Sequence, residues 1–164
     1  MPITTMLFRS VENQLVGEML HRTVPLLQQW DERGDQIPDE AVFVALAEDF
    51  REARETHSAG SVGRRLNYEE SGFAGLFRVT SRKAGKIEAP YQASFIDIDK
   101  DWGKLETWKI LKRESKAYTI SYYLAAIDAG YSPSGEIVFN DATNQIYIQL
   151  FGRTLWMSLL ITVL

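Results

Sequence analysis

The chain has 164 residues, 45% hydrophobic, 24% charged and 12% aromatic, and its 22 acids outnumber 18 bases to give a formal net charge of -4. These values exclude a globally disordered or collagenous chain and predict a single globular domain over 1–164, long enough to bury a core without staples. With no cysteine and only His21 and His57 as imidazoles, thiol catalysis and disulfide scaffolding are excluded, and neither a metal centre nor a cofactor is expected.

The amino-terminal MPITTMLFRSVENQ has neither a basic start nor an apolar core with a small-residue cleavage site, so no secretory leader is expected and the default location is cytoplasmic. Ser10 is placed to cap a helix to Thr23, along which Val11, Leu15, Val16, Met19 and Leu20 form one stripe. Pro25 either kinks that helix or sits in the first turn of another, capped by Thr23 and carrying Leu26, Leu27 and Trp30. After a polar turn, Pro38, Asp39 and Glu40 mark the start of a second helix whose Phe43, Leu46, Ala47 and Phe50 share a face. Its other face carries Glu48, Glu52 and Glu55 interleaved with Arg51 and Arg54.

From Arg64 the pattern reads as an antiparallel meander of four short strands, Arg64–Tyr68, Leu76–Ser81, Lys86–Tyr91 and Ser94–Asp99, with a hairpin turn over Arg82–Gly85. Pro90 would hold its strand at a sheet edge. Asp101 opens a helical stretch with Trp102, Leu105, Trp108 and Leu111, and Ser115 is placed to start a further helix to Ala129. The last segment predicts three strands, Glu136–Phe139, Gln145–Phe151 and Thr154–Val163, the last about ten residues long where a membrane span needs ~20. The resulting expectation is an α+β fold: amino-terminal helices, an antiparallel sheet from the middle and carboxy-terminal strands, and a helical pair packed on one face of that sheet.

Charge is unevenly distributed. Residues 1–57 hold 11 acids and 5 bases, residues 58–116 hold 12 bases and 8 acids, and every lysine lies between Lys83 and Lys116. The acidic amino-terminal part, with Glu48, Glu52 and Glu55 on one helix, points to a non-catalytic interaction module, of inhibitor, immunity or adaptor type, for a basic protein partner. Tyr118 and Tyr122 are candidate anchors, since tyrosine buries area at small entropic cost. A second reading is nucleic-acid association through a basic 78–86 hairpin carrying Arg78, Arg82, Lys83 and Lys86. Trp102 and Trp108 among lysines would suit base stacking, but their spacing with Leu105 and Leu111 favours a core-facing ridge.

A third reading is a divalent-metal-dependent hydrolase built on Asp97, Asp99 and Asp101. Their alternation resembles a cation loop, although counted from Asp97 the sixth and twelfth positions hold Trp102 and Trp108 where an EF-hand has Gly and Glu. With Phe95 and Ile96 before them, Asp97 and Asp99 also resemble the DxD motif of haloacid-dehalogenase-like phosphatases, with Asp101 where that motif has Thr or Val. Against this reading, the same residues fit a strand with a polar face followed by a helix cap. His57 has no carboxylate three or four residues before it and fits the end of a helix, while His21 lies off the apolar stripe. No GxSxG elbow or phosphate-binding loop occurs. A membrane is not expected as a partner, and the carboxy-terminal strand pairs either within the chain or with a second copy.

Overall fold

A computed structural model describes residues 14–116, 121–132, 136–141 and 145–163, with the side chains of Ser121, Tyr122 and Val163 excepted. Its contacts fall into two compact units, one within residues 12–118 and one within 119–164. The chain is α+β, with helices at the amino end and, among the described residues, one small antiparallel sheet.

Among the described residues the regular elements of the larger unit are all helices. In chain order it contains α1 (Gln14–Met19), α2 (Thr23–Gln29), α3 (Glu40–Thr56), α4 (Ala59–Leu66), α5 (Phe73–Lys83), α6 (Tyr91–Ile98) and α7 (Leu105–Glu114). Short 3-10 turns at Ala84–Lys86 and Lys100–Gly103 join its later helices. α3 is the organising element. It buries Phe43, Leu46, Ala47, Phe50 and Ala53, the 3.6-residue stripe expected of an amphipathic helix. Phe43 and Phe50 enter an aromatic cluster with Phe77, Phe95, Trp102 and Trp108, in which edge-to-face pairs such as Phe43 with Trp108 stand 4.8 Å apart between ring centroids.

Polar groups in this core are matched. The Trp102 indole donates to the Thr80 hydroxyl at 2.9 Å, Thr80 donates to the Leu76 carbonyl at 2.8 Å, and the Trp108 indole donates to the Trp102 carbonyl at 2.9 Å. Both tryptophans are fully buried as expected, but Trp102 lies in the 3-10 turn and only Trp108 is on α7, so the single helix expected from Asp101 is broken at extended Lys104.

Two carboxylates on α3 satisfy the amino termini of other helices. Buried Asp49 accepts from the Arg22 and Thr23 backbone N–H groups and from the Thr23 hydroxyl, at 3.3, 2.9 and 2.7 Å. Thr23 is therefore the first residue of α2, held by a carboxylate 26 positions away, and not its cap. Glu40 likewise accepts from the backbone N–H groups of Tyr91 and Gln92 at the start of α6. First-turn N–H groups lack intrahelical partners, so a carboxylate placed there supplies both an acceptor and a favourable charge.

The predicted meander over 64–99 is instead α4, α5 and α6, and no hairpin exists at 78–86, which spans the end of α5 and the following 3-10 turn. In α4 Ala59, Val62, Gly63 and Leu66 are buried together with Arg65, and in α5 Phe73, Leu76, Phe77 and Thr80 are buried, the apolar positions of both at helical spacing. Gly60 and Gly63 fall inside α4 and Gly75 inside α5, while Gly72 precedes α5 in the left-handed conformation and Gly85 lies in the 3-10 turn. Gly63 lies where a Cβ would stand 2.8 Å from the Phe77 Cβ, so its missing side chain is what lets α4 and α5 approach.

The smaller unit contains α8 (Ser121–Ala126), β1 (Ala129–Tyr131), β2 (Ile137–Phe139) and α9 (Ile146–Val163). The strands pair antiparallel with Ala129 opposite Phe139 and Tyr131 opposite Ile137. Of the three predicted carboxy-terminal strands only the first forms; Gln145–Phe151 and Thr154–Val163 lie in one continuous helix across the expected turn at Gly152 and Arg153. Asp128, buried and left-handed at φ 51°, accepts from the Ile148 N–H at 2.7 Å and so caps α9. The two helices expected as a pair, α7 and α8, belong to different units.

α9 is apolar around its circumference. Phe151 is 68% exposed and Ile161 73%, and Ile146, Leu150, Leu155, Trp156 and Leu159 are exposed as well. Among the described residues no helix is long and apolar enough to cross a membrane.

Candidate functional site

The carboxylates of α3 do more than face water. Glu48, Asp49 and Glu52 converge on Arg22, whose guanidinium lies 3.7 Å from Glu48, 3.1 Å from Asp49 and 2.7 Å from Glu52. His21 stands beside them, 3.7 Å from Asp49 and 3.8 Å from Glu52. Hydrogen bonding to Glu52, then to Asp49, raises the Arg22 pKa, and the bond from Arg22 holds the Glu52 carboxyl below its usual range. Glu48 and Glu52 keep about half of their side-chain surface in water, at 53% and 49%, and Glu55 is exposed.

The arginines interleaved with these acids turn elsewhere. Arg51 donates to the Ile87 carbonyl at 2.7 Å and lies over the Tyr91 ring, and Arg54 reaches Gly85. One side of α3 is consequently acidic, with three carboxylates around one guanidinium and Glu55 exposed beyond them. Tyr118 lies outside the described residues, as does the side chain of Tyr122, whose backbone is in α8.

The basic residues of the nucleic-acid reading separate. Arg78 and Arg82, four apart on α5, line an open cleft of about 570 Å³ with Arg54 and Arg64, whereas Lys83 and Lys86 are exposed and do not line it. Lys112, in the stretch considered for base stacking, donates to the Trp30 carbonyl at 2.6 Å, and the full burial of Trp102 and Trp108 leaves neither face to a base.

Asp97, Asp99 and Asp101 do not share a face. Asp97 is exposed on helix α6 and not on a strand, Asp99 accepts from the Asp101 N–H at 3.1 Å and caps the 3-10 turn, and Asp101 pairs with Lys104 at 2.6 Å. Among the described residues no group of three His, Cys, Asp or Glu side chains could hold a metal ion. His57 ends α3 in the left-handed conformation, φ 57°, with its N–H bonded to the Ala53 carbonyl.

Sequence reasoning missed two constellations. One is the buried pair of Arg65 and Glu114, 3.0 Å apart, to which Glu69 and Arg113 add further contacts. The other is the arginine cleft, whose signal was present as Arg78 and Arg82 at helical spacing. Compared with protein-family models, with curated proteins and with solved structures, the chain matches none of them.

Proposed function

We propose that this chain is a protein-interaction module that offers the acidic side of α3 to a basic partner. The observation supporting this reading is the convergence of Glu48, Asp49 and Glu52 on Arg22. The same surface that takes one guanidinium from within the chain retains an excess of carboxylate, with Glu48 and Glu55 exposed. A partner arginine would meet carboxylates already held on a rigid helix, so little ordering would be needed on this side of the interface.

The test is a titration with an arginine-rich peptide at several salt concentrations. Binding should weaken as salt rises, because exposed charge pairs are screened. Replacing Glu48 and Glu55 with Lys, while sparing Glu52 for its contact with Arg22, should lower the affinity about tenfold or more, as a change of ~1.4 kcal/mol would. Undiminished binding by that variant would reject the acidic-face reading.

A further inference from the structure

The cleft between α4 and α5 gathers four arginines, whereas most other arginines described above are paired with acids. Arg54 from the last turn of α3, Arg64 from α4, and Arg78 and Arg82 from α5 line one cavity of about 570 Å³, and no Asp or Glu lines it. Arg22, Arg65 and Arg113 each have a carboxylate within 4 Å. Among the described residues the four cleft arginines have no carboxylate within that distance.

Four like charges around one open concavity repel one another. An anion reverses the sign of the interaction. The first turn of α4 also lines the cavity at Gly60, adding the positive end of a helix, and His57 borders it. Guanidinium groups from three helices can each present two parallel N–H donors, which suits the several oxygens of a phosphate better than a single carboxylate.

The volume lies in the range of small-molecule sites. No Trp, Tyr or Phe lines the cleft, so it lacks the stacking platform on which single-stranded nucleic acid depends. We infer that the α4–α5 cleft is a binding site for a small, multiply charged phosphate ligand, gripped by Arg54, Arg64, Arg78 and Arg82. This site is separate from the acidic side of α3 and does not depend on it.

Inorganic pyrophosphate is the probe, titrated into the full chain by calorimetry at low ionic strength, with the thermal midpoint followed in parallel. Saturable binding with a raised midpoint is expected. Replacing Arg78 and Arg82 together with Gln should weaken it at least tenfold, and Arg64→Gln alone should weaken it measurably; all three residues are exposed, so folding does not rest on them. Arg33→Gln, at an exposed arginine outside the cleft, should leave the affinity unchanged. No binding of pyrophosphate, or binding equal in the wild type and the cleft variants, would overturn the proposal. So would an oligonucleotide that binds more tightly with increasing length and displaces pyrophosphate, since the site would then serve a polymer.

Discussion

Glu114 illustrates how one side chain can be both fixed and costly. It is buried at the end of α7, 3.0 Å from Arg65 and 2.9 Å from Arg113. Burial raises its pKa, the nearby Glu69 adds to the rise, and Arg113 and Arg65 oppose it. A carboxyl whose pKa is higher in the folded than in the unfolded state favours folding most when protonated. Its contribution is complete below the ordinary carboxylate pKa and is lost as pH rises through the folded value. Glu52 works in the opposite direction: its lowered pKa makes a contribution that is present above the ordinary value and is lost only in stronger acid. Replacing Glu114 with Gln, which cannot titrate, should therefore move the stability difference from wild type in the wild type's favour as pH falls from 7 towards the ordinary carboxylate range. Urea unfolding of both proteins across that interval checks this, and a difference that stays flat would contradict the raised pKa.

At the scale of elements, the contact between α4 and α5 decides both the packing of the larger unit and the shape of the arginine cleft. Gly63 meets the Phe77 Cβ, the Ala74 Cα and the Phe73 carbonyl, so a methyl group there would stand 2.8, 3.3 and 3.3 Å from atoms that are largely backbone-bound. Gly63→Ala should destabilise the protein by about 1–3 kcal/mol, the usual cost of overpacking a close helix pair, although alanine is the better helix former. The same substitution should weaken pyrophosphate binding by parting Arg64 from Arg78, whereas Gly60→Ala, which has open space, should spare the fold. The two helices were readable in principle. Phe73, Leu76, Phe77 and Thr80 follow a 3.6-residue period, but Gly72, Gly75 and Gly85 punctuate the segment as turns would. Gly63 permits a close approach inside a helix, Gly75 sits in a helix with open space, and Gly72 makes a true left-handed turn at φ 111°, yet the sequence offers the same letter for all three. α3 was legible because its stripe, its Pro38 and its first-turn acids agree. The tasks of Asp49 and Glu40 were not, because each caps a helix 26 or more residues away and no local pattern encodes such a contact.

For the whole molecule the feature that composition alone could not place is α9. A run of Leu, Ile, Phe and Trp reads equally well as buried strand or as helix, since periodicity cannot separate the two when nearly every position is apolar. As a helix it exposes apolar side chains on all sides, with Trp156 63% and Phe151 68% accessible, and a patch of that extent is unfavourable in water. The full chain should therefore associate in detergent-free buffer in proportion to its concentration, and a non-ionic micelle should return it to a single copy by covering α9. Sedimentation velocity with and without detergent measures both states. Phe151→Glu combined with Leu155→Lys, four apart on one side of the helix, should reduce the association without altering the larger unit, because neither side chain belongs to the buried core. A chain that stays monodisperse in plain buffer at high concentration would mean that these side chains have found cover within the molecule.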